Sequence, residues 1–284
     1  MMTDRRVAVQ VRNLCKSYGR VSALQGLDLD IHHGEIFAIL GPNGAGKSTT
    51  IEILEGHRKR DSGRVGVLGE DPESAGRSWR ARIGIVLQET SDFGMLTVQE
   101  TVHMFAKCYG TARTSAELLE LVGLAPSARS RVRTLSGGQR RRLDVALGII
   151  GYPELLFLDE PTTGFDPEAR RHFWDLIRLL ACDGTTIVLT THYLEEAAAL
   201  ADRVAVVAGG RLAAVDSPSR LTAHVASAAT VRWVEGDALH EQQTDHPTEL
   251  IRSLSTDGRE LAQLTVTRPT LEDAYLSLIE GGLT

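Results

Sequence analysis

Residues 41–48, Gly41-Pro42-Asn43-Gly44-Ala45-Gly46-Lys47-Ser48, fit the pattern G-x-x-x-x-G-K-[ST], and their flanks leave few ways to fold. Before the run stands an apolar stretch, Ile36-Phe37-Ala38-Ile39-Leu40, that reads as a buried strand. After it, Thr49 to Leu54 begins a helix. In that order, strand, glycine-rich turn and helix wrap backbone N–H groups around phosphates, and the helix dipole favours the negative charge. Lys47 then reaches the β- and γ-phosphates, and the Ser48 hydroxyl ligates Mg2+. A glycine-rich turn with a chance Lys-Ser is the bland alternative, and the flanking strand and helix weigh against it. The segment from Gly41 to Thr49 is expected to bind a nucleoside triphosphate.

The rest of the chain narrows the class. Its 284 residues allow one large domain with an appendage, or two small domains. A formal net charge of −6 argues against a general nucleic-acid binder, because no broad basic excess is available to neutralise phosphates. Arg140, Arg141 and Arg142 read as a local cluster only. Cys15, Cys108 and Cys182 are few and far apart, as free thiols of a reducing compartment are. The N-terminus lacks the apolar core of a secretory signal. No segment reaches the roughly 20 apolar residues that span a bilayer. Gly148, Gly151, Pro153 and Glu154 break the best candidate, 145–158. A membrane role therefore needs a second polypeptide that supplies the membrane part.

Patterning sketches the organisation. Val7, Val9 and Val11 are expected on one strand face, and Leu27, Leu29 and Ile31 on another, with Asp28 and Asp30 outward. This implies an antiparallel sheet with one wet face. Further strands are expected at 64–68 and 82–87. The middle, 97–151, reads as an all-helical insertion. Thr97 and Glu100 have capping-box spacing, and Val98, Val102, Phe105 and Tyr109 follow on one face. A second helix near 115–122 stops at Gly123, and a third covers 137–150. Sheet character returns at 155–158, a helix capped by Asp166 runs to Gly184, and 186–189 is another buried strand. Residues 204–207 and 212–215 form a hairpin through Gly209-Gly210. Beyond 216 the texture changes to a small α+β tail, with strands near 229–234 and 261–266, a helix near 249–254 and a last helix capped by Thr270.

Two further segments carry chemistry. Leu155-Leu156-Phe157-Leu158-Asp159 is an apolar strand ending in a carboxylate, the Walker B arrangement, in which Asp159 holds Mg2+. Glu160 follows at once; it cannot point the same way, so it faces the γ-phosphate and polarises an attacking water. Leu135-Ser136-Gly137-Gly138-Gln139 opens the helix that leads to this strand. Its glycines expose N–H groups at the positive helix end, a second anion site. One chain cannot easily bring both anion sites onto one phosphate.

With these segments in this order, the sequence resembles the nucleotide-binding subunit of an ATP-binding cassette (ABC) transporter over residues 7–215. Leu135 to Gln139 is that family's hallmark. The resemblance implies a P-loop NTPase α/β fold with a parallel core sheet, an antiparallel β subdomain and a helical subdomain, and a cassette over 1–216 followed by an accessory unit, 217–284. It implies ATP and Mg2+ as ligands, and a head-to-tail dimer. In that dimer Ser136, Gly137, Gly138 and Gln139 of one copy meet the γ-phosphate held by Lys47 of the other. Tyr18 corresponds to the aromatic that stacks on adenine, and Gln88 to the residue that senses Mg2+ and the attacking water. Asp166 falls in the dimer-bridging loop, where Phe165 replaces the commoner leucine, and His192 corresponds to the γ-phosphate switch histidine. Residues 89–96 lie where family members receive a helix of the membrane subunit, with Phe93, Met95 and Leu96 as apolar candidates. Residues 268–276 and the run Thr162-Thr163-Gly164-Phe165-Asp166-Pro167 resemble exporters of the ABC-2 type, including the antibiotic-resistance branch. The expected function is therefore ATP hydrolysis at the cytoplasmic membrane face, driving export through a separate permease, with no nucleic-acid partner. A soluble cassette ATPase of ribosomes or DNA maintenance is the alternative. The single phosphate loop, and the lack of heptads and cysteine pairs, weigh against it.

Overall fold

The computed structural model describes residues 6–86, 93–225, 228–235, 238–255 and 260–281. The chain begins with β1 (Val7–Tyr18), β2 (Val21–His32), β3 (Ile36–Leu40), α1 (Lys47–Leu54), β4 (Ser62–Val67), α2 (Arg77–Arg80) and β5 (Ile83–Val86). The helical segment follows as α3 (Val98–Ala106), α4 (Ser115–Leu121) and α5 (Gly137–Ile149). Next come β6 (Leu155–Asp159), α6 (Pro167–Cys182), β7 (Thr186–Thr190), α7 (Leu194–Leu200), β8 (Arg203–Ala208) and β9 (Arg211–Asp216). The tail is α8 (Pro218–Val225), β10 (Ala229–Glu235), β11 (Ala238–Thr244), α9 (Pro247–Leu254), β12 (Ala262–Thr267) and α10 (Leu271–Gly281).

Three sheets result: β2-β1-β4, β11-β10-β12, and a six-stranded sheet in the order β5-β6-β7-β3-β8-β9. In the last, β5, β6, β7, β3 and β8 pair in parallel and β9 closes the edge antiparallel. Every residue of β3 and β7 is buried, as expected for central parallel strands covered on both faces. Alternation then divides the two cores. Phe37, Ile39, Phe157 and Val188 pack with Val9, Val11 and Leu27 of the antiparallel sheet. Ala38, Leu40, Leu156 and Leu158 turn to the opposite side, onto α5, α6 and the helical segment. Each of the larger side chains among these, fully buried, contributes about 1.5–3 kcal/mol.

The antiparallel sheet departs from strict alternation at its start. Ala8 and Val9 are both buried, while Val7 is 41% exposed instead of sharing the face of Val9. The cause is a register shift against β2 between Val7 and Val9. The capping boxes hold: Thr97 with Glu100 opens α3, and a second pair, Thr114 with Glu117, opens α4. Tyr109 lies beyond the end of α3, so its packing against the core comes from the following turn and not from the helix stripe. The hairpin β8–β9 turns through Gly209 and Gly210, both at positive φ (53° and 75°), as the tight turn requires.

The tail holds two elements that patterning had not suggested, α8 and β11. Strand β11 reads Ala-Leu-His-Glu-Gln-Gln-Thr and lies mostly exposed, so it has no apolar alternation to betray it. Leu221 of α8 and Leu271 and Ala274 of α10 join the main core, which ties both helices to the parallel sheet. Among the described residues no helix is long and apolar enough to cross a membrane.

Candidate nucleotide site

The parallel strands bring the candidate residues to one edge. β3 runs into the glycine loop, β6 ends at Asp159 and β7 ends just before Thr191-His192, and β6, β7 and β3 are adjacent. Ligands of open α/β sheets bind outside these carboxyl ends.

The loop Gly41–Ser48 is shaped by its backbone. Gly44 and Gly46 take positive φ (79° and 104°), a region L side chains rarely adopt. A Cβ on Gly46 would stand 2.6 Å from the Ala23 carbonyl oxygen. Gly46 is also the N-cap of α1 and supplies no side-chain hydrogen bond to its first turn. The leading N–H groups of Lys47, Ser48 and Thr49 therefore precede the helix's own bonding, the arrangement that favours an anion. Pro42, Asn43 and Ala45 complete the turn, with the Ala45 N–H donating to Pro42 O at 3.1 Å. The Lys47 ammonium donates to Gly41 O at 2.8 Å and Pro42 O at 3.2 Å. Burial pulls its pKa down, and the carboxylates of Glu160 and Asp159 pull it partly back. Tyr18, 41% exposed at the end of β1, places its hydroxyl 3.4 Å from Thr49 Oγ1. Arg58 lies over its ring at 5.1 Å and the Lys16 ammonium at 5.7 Å, so two cations flank this aromatic.

At the tip of β6, Asp159 Oδ1 accepts a hydrogen bond from the Thr190 hydroxyl. Glu160 has φ 44°, a left-handed conformation that costs a non-glycine residue about 1–2 kcal/mol. Its N–H donates to Thr190 O at 3.1 Å, and its Oε2 lies 3.2 Å from His192 Nδ1 and 3.4 Å from Thr163 Oγ1. The sharp turn aims consecutive carboxylates in different directions, as two roles require. His192 packs on Tyr193 at 4.0 Å between ring centroids, and Arg170 sits 4.6 Å over Tyr193. Asp166 is the N-cap of α6, accepting from Glu168 N and Ala169 N at 3.0 and 2.8 Å.

The Ser136–Gln139 group keeps to its own helix end. Ser136 N donates to Gln139 Oε1 at 3.0 Å, Gln139 N to Ser136 Oγ at 3.2 Å, and Gln139 Nε2 to Ser127 Oγ at 3.3 Å. Gly137 and Gly138 form the first turn behind that cap. Within this chain, hydrogen bonds, ion pairs and electrostatics join Tyr18, Lys47, Asp159, Glu160 and His192 into one locus, whereas these hydrogen bonds of Ser136 and Gln139 stay at the start of α5 and at Ser127. Gln88 lies outside the described residues, as do residues 89–92. Phe93, Gly94, Met95, Leu96 and Arg133 line a cavity.

Three buried polar residues went unread in the sequence. Arg141, 7% exposed, crosses from α5 to donate to Asp159 O at 2.7 Å and Pro161 O at 3.1 Å. Its signal was present: Arg141, Val145 and Gly148 lie at i, i+4 and i+7 on a buried stripe, where a guanidinium must be paired. Glu196, fully buried, accepts from Trp174 Nε1 at 3.2 Å, and burial raises its pKa. Glu55, at the end of α1, is pushed up to about 8, first by burial and then by the charges of Asp159 and Glu52.

No group of three or more His, Cys, Asp or Glu among the described residues could hold a metal ion. Ser48, in the first turn of α1, and Asp159, at the end of β6, carry hard oxygen donors. Mg2+ suits such a set, since it takes one or two protein oxygens and completes its shell with phosphate and water.

Comparison with known proteins shows the family and the fold. The ABC transporter family profile matches residues 24–163. The daunorubicin resistance ATP-binding protein DrrA3 of Streptomyces coeruleorubidus is 37% identical over 301 residues, covering 95% of each chain. The Nod factor export ATP-binding protein I of Rhizobium sp. (strain N33) is 41% identical, over 76% of this chain and 73% of its own. Among solved structures, the dimeric post-hydrolysis state of the ATP-binding cassette MJ0796, bound to ADP and Pi, is similar at TM-score 0.66 and 27% identity. It covers 74% of this chain and 98% of that one.

Proposed function

The chain belongs to the ABC transporter family, and from that premise we propose that it is the ATP-hydrolysing subunit of an exporter whose membrane-spanning part is a separate polypeptide. The observation that carries the reading is the Glu160 carboxylate, held 3.2 Å from His192 Nδ1 at the strand tip whose charges also act on Lys47. The N–H groups of Gly41–Thr49 and the Lys47 ammonium bind the β- and γ-phosphates, and Tyr18 stacks on the adenine. Glu160 orients a water and takes its proton as the water's oxygen attacks the γ-phosphorus in line with the departing ADP oxygen. His192 fixes that carboxylate and faces the γ-phosphate. Positioning and fixed charge supply most of the acceleration in phosphoryl transfer. Mg2+, held by Ser48 and Asp159, neutralises phosphate charge when bound; Gln88 is proposed beside it on its sequence position alone.

Two copies complete each other's sites. Ser136, Gly137, Gly138 and Gln139 of one subunit close on the nucleotide held by the other, and Asp166 lies in the loop between them. ATP thereby joins the pair, hydrolysis releases it, and the cycle moves the permease. The permease seats at the cytoplasmic membrane face, against the cavity lined by Phe93, Met95 and Leu96. The relatives named for drug resistance and Nod factor export support an exporter. Residues 1–216 are proposed as the cassette and 217–284 as an accessory unit.

The test is Glu160→Gln. This variant should bind ATP at wild-type affinity, turn over at least a hundredfold more slowly, and run as an ATP-dependent dimer in light scattering. A variant that hydrolyses at the wild-type rate, or stays monomeric with saturating Mg-ATP alone and beside its permease, removes the reading.

A further inference from the structure

Glu160 sits in a left-handed conformation with its N–H bonded to Thr190, and the peptide carbonyls on either side of it, Asp159 O and Pro161 O, both accept from one guanidinium. That guanidinium belongs to Arg141, on α5. Strained residues persist only where their surroundings over-determine them, and a planar fork with fixed donors is suited to pin two carbonyls at once. The same helix begins at Ser136, five residues earlier, with Gly137 and Gly138 in its first turn. One rigid element thus carries an anion-binding end and, less than two turns away, the clamp on the water-activating residue.

We propose that Arg141 is a positioning residue that makes Glu160 of a subunit responsive to the nucleotide docked on that subunit's own α5, which is the nucleotide held by the partner copy. This rests on the shared-site reading above and adds a direction of coupling. Phosphate at the N-terminus of α5 fixes the helix, the helix fixes the guanidinium, and the guanidinium fixes the backbone that aims Glu160. Each site then hydrolyses faster when the opposite site is filled. Two features set Arg141 apart from ordinary packing. Its partners include the backbone carbonyls on both sides of one reacting residue, and it is buried where a charge must be committed. Asp144, one turn on, is pushed up to about 6 by burial, and its charge acts on the guanidinium together with those of Asp159 and Glu196.

The test compares wild type, Arg141→Met and Arg141→Lys for nucleotide affinity, ATP-driven dimerisation in the Glu160→Gln background, and steady-state hydrolysis against ATP concentration. Arg141→Met should keep nucleotide affinity within about twofold and still dimerise. Its kcat should fall at least tenfold, and its Hill coefficient should drop from above one to one. Arg141→Lys, which keeps charge but not the fork, should recover part of the rate. If Arg141→Met does not fold, the lysine variant carries the test through a lowered kcat and Hill coefficient at unchanged affinity. Wild-type kcat and Hill coefficient in either folded variant overturn the proposal. So does a loss of affinity and dimerisation in step with turnover, which marks a merely structural arginine. A wild-type protein that hydrolyses ATP without associating overturns the shared site itself, and that is seen before any arginine is changed.

Discussion

Replacing Glu55 by glutamine should make the protein less sensitive to alkaline pH. The Glu55 side chain is 1% exposed, and its Oε2 lies 3.2 Å from His57 Nδ1. Burial, then the nearby charges of Asp159 and Glu52, raise its pKa from 4.5 to about 8. Between those values the folded protein keeps a proton that the unfolded chain has released. Unfolding then releases a proton, so stability falls as pH rises, by up to 1.36 kcal/mol per unit. The contribution is fully present below pH 4.5 and is lost through about pH 8, on the order of 5 kcal/mol in all. Glutamine cannot ionise and keeps the shape. The stability of Glu55→Gln relative to wild type should therefore rise by about 2 kcal/mol from pH 6 to pH 8. Asp144 and Glu196, also raised by burial, titrate in both proteins and cancel in the difference. Urea unfolding at pH 6, 7 and 8 reads this from the midpoints, with m expected to be unchanged. Parallel curves, with a difference constant to within about 0.5 kcal/mol, would refute the buried-proton account.

Lys47→Ala should weaken nucleotide binding ten- to a hundredfold, the value of about 1.5–3 kcal/mol for a hydrogen bond to a charged group, as read by titration calorimetry. Undiminished affinity would contradict the loop assignment. Ser136→Arg should leave nucleotide binding by the single subunit intact while abolishing the ATP-dependent dimer of Glu160→Gln; persistence of that dimer in light scattering would count against the shared site. Gly46→Ala forces a side chain onto a φ of 104° and against the Ala23 carbonyl. It should cost about 2 kcal/mol or more in urea unfolding, and an unmoved midpoint would show that the loop relaxes freely.

Much of this molecule was legible because its signals are local. A short run of apolar residues ending in an acid, bounded by Pro153 and Pro161, marks β6 along the chain, though pairing with β5 and β7 completes it. Thr97 with Glu100, and Asp166 before Pro167, satisfy helix N–H groups within three residues and so mark their own helix ends. Gly209-Gly210 likewise specifies a turn through backbone freedom alone. Polar strand β11 escaped because it is held by pairing with β10 and by little side-chain burial. Val7 was misplaced because a register shift is a property of two strands, and one strand's alternation does not contain it.

The linear order of residues, by itself, determined the α/β class, the phosphate loop, the strand-end carboxylates and the separate glycine-rich helix start, since each depends on neighbours along the chain. Only the tertiary structure decided what those parts do to one another. It set the left-handed twist of Glu160 against His192, the raised pKa of Glu55, and the reach of Arg141 across to two carbonyls. The reason is that burial and through-space charge depend on which distant segments share a volume, and that is settled only when the sheet has brought β3, β6 and β7 side by side.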